Sequence, residues 1–138
     1  MIASRRLEFD AGHRLLAHKG KCQNYHGHRY VVEITVSAPY LDGVGCVMDF
    51  AEIKAKVGTW IDDNLDHGMI LQQGDPMLPA LQASHMKHYE LAAPPTAENL
   101  AAHLATIAQG MLQTSENRVV VIAVRVYETP NCYAEWSV

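Results

Sequence analysis

The sequence has no run of about 20 apolar residues, the length a bilayer-spanning helix requires, so no membrane partner is expected. It reaches Arg5 and Arg6 before any apolar segment, so no secretory signal is expected and the cytoplasm is the expected compartment. The lysines and arginines form no stripe or block, and the net charge is −4. Binding a phosphate backbone needs a basic face, so no nucleic-acid partner is expected either. Cysteine is scarce: Cys22, Cys46 and Cys132 make an odd number with no paired spacing, which predicts free thiols. No repeat, low-complexity tract or linker interrupts the chain, and residues 1–138 are read as a single domain.

Histidine is unusually frequent for its kind, with eight in 138 positions, and its placement decides what it can do. From Leu7 to Leu15 every second residue is Leu7, Phe9, Ala11, His13, Leu15, one face of a strand with Glu8, Asp10 and Arg14 opposite. The alternation resumes at His26, where His26, His28, Tyr30, Val32, Ile34 and Val36 share a face. Pro39 and Asp42-Gly43 end it, and Val44–Met48 is predicted as a short returning strand.

Asp49 with Glu52 three residues on has the form of a capping box. Behind it Phe50, Ile53, Val57, Trp60, Ile61 and Leu65 recur at helical spacing, predicting a helix to about Asn64. The stretch from Gln72 to Pro95 is long for a loop, and a short helix near Pro79–Met86 is expected within it. Thr96 caps a second helix whose buried stripe is expected to be Leu100, Leu104, Ile107 and Met111. Arg118–Tyr127 is a β-branched strand, and Thr129-Pro-Asn131 turns it into a last strand, Cys132–Val138. The order predicts α+β with a mainly antiparallel sheet packed on one face by two helices. Its other face has no layer left to cover it, so association between copies is expected.

His26 and His28 flank Gly27, which places both imidazoles on one side of a strand about 7 Å apart. His13 lies on the preceding strand in phase with them, and antiparallel pairing brings it to the same point. Three imidazoles without a fourth protein ligand describe an open zinc site, although iron or nickel also accept this donor set. The remaining histidines, His18, His85, His88 and His103, have no partner at ligand spacing and are read as surface or packing residues. The spacing of Gly20, His26, His28 and Glu33 also fits the front half of a cupin metal motif. That fit fails at Tyr40, where glycine is required, and at the two helices.

Cys22 sits in a polar loop beside Lys21, surroundings that favour a reactive thiolate over a packed thiol, whereas Cys46 and Cys132 are read as packing residues. Asp66-His67 follows the first helix, where His67 can exchange protons while Asp66 orients it. Glu128, at the end of a strand, can accept two parallel N–H bonds from an aminopyrimidinone edge.

Taken in order, Phe9-Asp-Ala-Gly-His13-Arg-Leu15, Cys22-Gln-Asn-Tyr-His26-Gly-His28, Met48-Asp-Phe50, Leu65-Asp-His67, Pro95-Thr-Ala-Glu-Asn99 and Val126-Tyr-Glu-Thr129 resemble the 6-pyruvoyltetrahydropterin synthase family, which includes the carboxy-forming enzymes. The resemblance implies the tunnelling fold, a four-stranded antiparallel sheet with two helices on one side, assembled as trimers or as hexamers of two stacked trimers. It implies a Zn2+ held by His13, His26 and His28, Cys22 as catalytic thiol with Asp66 and His67 in proton transfer, and Glu128 as anchor of the pterin ring. It also implies 7,8-dihydroneopterin triphosphate as substrate, with triphosphate contacts sought among Arg14, Lys19 and Lys21. Three residues between Cys22 and His26 favour the carboxy-forming members over the pyruvoyl-forming ones; a pterin- or zinc-binding module without activity is the non-enzymatic alternative.

Overall fold

The computed structural model describes residues 1–113 and 118–138. Two long strands, β1 (Ile2–His13) and β2 (His26–Ser37), pair antiparallel in a ladder running from Ile2 opposite Ser37 to His13 opposite His26. Period-two patterning sets the register, because a slip of one residue would turn the apolar set to solvent. Leu7, Phe9, Tyr30, Val32, Ile34 and Val36 all point inward and are buried.

A short helix α1 (Phe50–Ile53) leads through a π-helical segment (Lys54–Gly58) into α2 (Thr59–Asn64). The Asp49 side chain caps this stretch by accepting the N–H of Ala51 at 2.8 Å, whereas Glu52 pairs with Lys56 and does not close the box. Ile53, Val57, Ile61 and Leu65 are buried, but Phe50 at the first helical position stays about half exposed. Strand β3 (Gly68–Gln72), helix α3 (Leu78–Ala83) and strand β4 (His88–Leu91) follow, then the long helix α4 (Ala97–Leu112), β5 (Val120–Thr129) and β6 (Cys132–Ser137). Thr96 caps α4 by accepting the N–H of Asn99. The buried stripe of α4 is Leu100, Ala101, Leu104, Ala105, Ala108 and Leu112. Ile107 and Met111 are only half-buried. The helix thus turns its alanines to the sheet, which lets the two backbones approach.

The sheet corrects the four-stranded antiparallel expectation. It has six strands in the order β4-β3-β1-β2-β5-β6, with β3 parallel to both β1 and β4. β3 and β4 are short and parallel, so no hairpin turn announces them. The strand expected at Val44–Met48 does not form, because the Asp42 carboxylate takes the N–H groups of Val44 and Cys46 in a compact turn. That turn also leaves Cys46 exposed; Cys132, at the β5–β6 turn, is exposed too, so neither is a packing residue.

The face away from the helices is not apolar. Arg29 bridges Glu8 and Asp10, and Arg125 bridges Glu33 and Glu135. The uncovered face is thus laced by ion pairs between its own strands and does not by itself call for a second copy. No helix of the described residues is long and apolar enough to cross a membrane.

Candidate metal centre and active site

The β1–β2 register puts His13 directly opposite His26, and His28 one pleat along on the same face. One ligand atom from each of the three rings lies within 4.8 Å of the other two. Gly27 between them faces the other way, where a Cβ would stand 3.1 Å from the carbonyl oxygen of Ala11.

Two of the rings have their tautomer fixed. Nδ1 of His13 lies 2.8 Å from the Pro95 carbonyl, and Nδ1 of His26 lies 2.8 Å from that of Asn24. A carbonyl oxygen only accepts, so each Nδ1 carries the proton and each neutral ring keeps its Nε2 lone pair free. His13 is 1% exposed, and its Nε2 is buried without a hydrogen-bond partner. Burial, only partly opposed by the Pro95 hydrogen bond and reinforced by His26 and His28, lowers the His13 pKa to about 4. Burial lowers that of His28 as well. Neutral rings converging around an orphaned lone pair fit a divalent cation, and their donor set is one that zinc accepts.

A cavity of about 440 Å³ opens at this cluster and is lined by His13, Cys22, His26, His28 and Glu128. Cys22 lies half-buried on a 3-10 turn (Lys21–Gln23), and its carbonyl accepts the N–H of Leu15 at 2.8 Å, drawing the loop back to the end of β1. Glu128 falls where the β5–β6 register shifts between Tyr127 and Thr129, and the bulge turns its carboxylate inward until Oε1 is 3.8 Å from Nε2 of His13. Glu128 also borders a cavity of about 330 Å³ beside Thr96 and Glu98 at the start of α4.

Asp66 and His67 form a tight pair elsewhere. Nδ1 of His67 lies 2.6 Å from Oδ2 of Asp66, whose Oδ1 accepts the N–H of Asp10 at 2.9 Å. Burial pushes the Asp66 carboxyl up, but the Asp10 N–H, His67 and the nearby Lys87 outweigh it and hold it below the usual carboxylate value. Lys87 Nζ donates to the carbonyls of Asp62 and Asp66, clamping the turn in which His67 takes a positive φ of 57°. His67 opens onto a cavity of about 540 Å³ with Gly12, Gly27, Arg29 and Met69, and His28 borders both this cavity and that of Cys22. Strand alternation places Gly12, Gly27 and Arg29 opposite the three histidines, so one chain holds Cys22 and His67 on opposite faces of its sheet.

Five of the seven site residues expected from sequence thus share one cavity, and the Asp66–His67 pair does not. The Pro95 carbonyl, which orients His13, carries no side-chain signal and was not foreseen. Asp75 holds Nε and Nη2 of the Arg14 guanidinium, whereas Lys21 lines the Cys22 cavity.

These features define an α+β protein of the tunnelling-fold type. An uncharacterised protein of Wolinella succinogenes superposes with a TM-score of 0.85 over 99% of this chain and 97% of its own, at 21% identity. The 6-pyruvoyl tetrahydropterin synthase of Caenorhabditis elegans superposes with a TM-score of 0.73 over 100% of this chain and 95% of its own, at 23% identity. The sequence model of the 6-pyruvoyl tetrahydropterin synthase family matches residues 2–137, and the chain belongs to that family. A relative from Rickettsia bellii, named 6-carboxy-5,6,7,8-tetrahydropterin synthase, is 46% identical over 134 residues, 96% of each chain. One of the same name from Aquifex aeolicus is 31% identical over 156 residues, 97% of this chain and 96% of its own.

Proposed function

We propose that the chain is a zinc-dependent 6-carboxy-5,6,7,8-tetrahydropterin synthase, a lyase acting on 7,8-dihydroneopterin triphosphate with release of acetaldehyde and triphosphate, in the biosynthesis of queuosine and related deazapurines. The observation that carries this reading is the buried, unpartnered Nε2 of His13 beside His26 and His28, in one cavity with a thiol and a carboxylate. Relatives of that name at 46% identity support the product assignment.

His13, His26 and His28 hold the ion. When bound, zinc supplies a Lewis acid that acidifies hydroxyl groups and stabilises negative charge on oxygen. Glu128 accepts two N–H bonds from the aminopyrimidinone edge and so places the side chain of the substrate over the three imidazoles. Cys22, as thiolate, removes a carbon-bound proton. His67, its ring held by Asp66, returns or relays one. The hydrogen shift is internal to the substrate, one water is consumed as triphosphate leaves and the bond between the first two side-chain carbons breaks to release acetaldehyde, and no redox cofactor enters.

Because Cys22 and His67 occupy opposite faces of one sheet, this reading requires a homo-oligomer, a trimer or a hexamer of two trimers, in which His67 of one copy meets the Cys22 cavity of the next. Two open strand edges support such assembly: among the described residues, the Ile2–Phe9 edge of β1 away from β2 has no strand partner, and neither has the outer edge of β6. We place the enzyme in the cytoplasm, where its three free cysteines stay reduced.

The test is mass spectrometry of products from 7,8-dihydroneopterin triphosphate and the zinc-loaded protein. Acetaldehyde with the 6-carboxy product is expected. Triphosphate loss without acetaldehyde assigns the pyruvoyl-forming reaction instead. No turnover with zinc and pterin bound makes the chain a binding module and overturns the proposal.

A further inference from the structure

The segment between β3 and β4 sends one side chain into the protein beside the proposed metal centre. Asp75 is 2% exposed, and its two oxygens accept from Arg14 Nε at 2.8 Å and Arg14 Nη2 at 2.6 Å. Its Oδ1 also accepts the N–H of Met77 at 2.9 Å. The Arg14 guanidinium in turn lies over the Tyr25 ring, 4.5 Å from its centroid.

Arg14 follows the ligand His13, Tyr25 precedes the ligand His26, and Cys22 lies on the loop between them. That loop is held by short-range turn bonds and, across its arms, by a long Gln23 Nε2 contact of 3.5 Å to the Leu16 carbonyl, but by little burial. Its 3-10 turn buries no residue, and its ends meet through the single Leu15–Cys22 backbone bond. Loops with few buried contacts open at low free-energy cost unless something outside anchors them. A buried ion pair is in itself weak evidence of added stability, because desolvation offsets most of the attraction. What this pair does provide is direction, since a bidentate guanidinium has one orientation and Tyr25 is stacked on it.

We infer that Asp75, Arg14 and Tyr25 form a positioning chain through which the β3–β4 segment sets the Cys22 loop against the three imidazoles. None of the three touches substrate in this scheme. The inference rests on the reading of Cys22 as the base, and it gives the long stretch from Gln72 to Pro95 a task in that reaction.

Asp75→Asn, Tyr25→Phe and Tyr25→Leu are compared in the zinc-loaded protein. The readouts are zinc content, kcat and KM with dihydroneopterin triphosphate, and the rate of Cys22 alkylation by iodoacetamide, followed at the Cys22 peptide because Cys46 and Cys132 also react. Asp75→Asn is expected to keep its zinc and its KM while kcat falls roughly 10- to 100-fold, the range in which a misplacement of about 1 Å acts. Its Cys22 alkylation rate departs from wild type. Tyr25→Phe keeps the stacked ring and retains wild-type kcat and alkylation, whereas Tyr25→Leu behaves like Asp75→Asn. If Asp75→Asn lowers only the melting temperature, with kcat per folded molecule and alkylation unchanged, the pair is structural and the inference fails. If Asp75→Asn does not fold, the two Tyr25 variants decide, because Tyr25 is 40% exposed and not part of the core. Should the wild type fail to turn over this substrate, the functional reading fails by itself, while alkylation rates still test the positioning chain.

Discussion

Nε2 of His13 stands 3.8 Å from Oε1 of the Glu128 carboxyl group, and burial, which lowers the His13 pKa to about 4, leaves that nitrogen an acceptor near neutral pH. Two acceptors facing each other in a half-enclosed cavity call for a cation or a donor between or beside them. The proposed ion answers the first atom and the N–H edge of a pterin the second.

Metal loading is therefore expected to stabilise the fold. A ligand present at about 1,000 times its dissociation constant adds roughly 4 kcal/mol. In a thermal melt the wild type gains stability as zinc is added and loses it with a chelator, whereas His28→Ala shows neither change. A zinc-independent melting curve for the wild type would refute the metal centre.

Glu128→Gln keeps the shape of the anchor but removes its charge and one acceptor. Hydrogen bonds to a charged group contribute about 1.5–3 kcal/mol. The expected loss in kcat/KM is roughly 10- to 150-fold, with zinc content unchanged, as measured by steady-state kinetics and metal analysis. An unchanged kcat/KM removes Glu128 from the site.

Cys22→Ala is expected to abolish turnover and leave zinc bound, since none of the three imidazoles depends on the thiol. Surviving activity would assign the base elsewhere.

Asp66→Asn separates orientation from presence. The amide cannot hold the protonated Nδ1 of His67 as the carboxylate does, so kcat is expected to fall by about 10²- to 10⁴-fold, with the protein still folded. Equal activity of this variant and the wild type would exclude the pair from proton transfer.

His103 gives a pH dependence away from the histidine cluster. Burial lowers its pKa, and its Nε2 faces the hydroxyl of Tyr89 at 2.8 Å beside Trp60. The folded value lies below the unfolded value of about 6.5, so the unfolded chain binds the extra proton first. The stability from this group is complete above about pH 6.5 and is lost as pH falls from there toward the lowered value. In the metal-free protein, His103→Phe is expected to flatten part of the acid slope of denaturant-unfolding stability; His13 and His28 contribute with the same sign, and the lowered carboxyls of Asp42, Asp66 and Asp75 add to it at still lower pH. An identical slope in the variant contradicts the assignment.

The parts that were legible from sequence are those whose period or cap is local. The alternations through His13 and from His26 onward fixed which residues face inward, and their common phase foretold that three rings meet. Asp49 and Thr96 marked the two helix starts. What was not legible depends on partners distant in the chain. β3, a brief apolar run, and β4, a mixed His-Tyr-Glu-Leu segment, become strands only by lying parallel to β1 and to each other, and Val44–Met48 forms no strand because of a carboxylate two residues upstream. The face of the sheet remote from the helices has no third layer in the chain to cover it, and what makes it fit for solvent, the pairing of Arg29 with Glu8 and Arg125 with Glu135 across strands, is not written in sequence order. The separation of His67 from Cys22 was hidden for the same reason: sequence order records neighbours and not sides.

β3 touches β1 through only three residue pairs, from Ala11 opposite Gly68 to His13 opposite Ile70, whereas β1 and β2 are joined along their full length. The β3–β4 segment is thus held to the rest of the fold less by strand pairing than by side chains: Asp75 on Arg14, Tyr89 on His103, Lys87 on the carbonyls of Asp62 and Asp66, and Ile70 and Leu91 in the core. A shift of β3 and β4 therefore leaves the β1–β2 register, and with it the three imidazoles, unchanged as long as Asp75 still reaches Arg14.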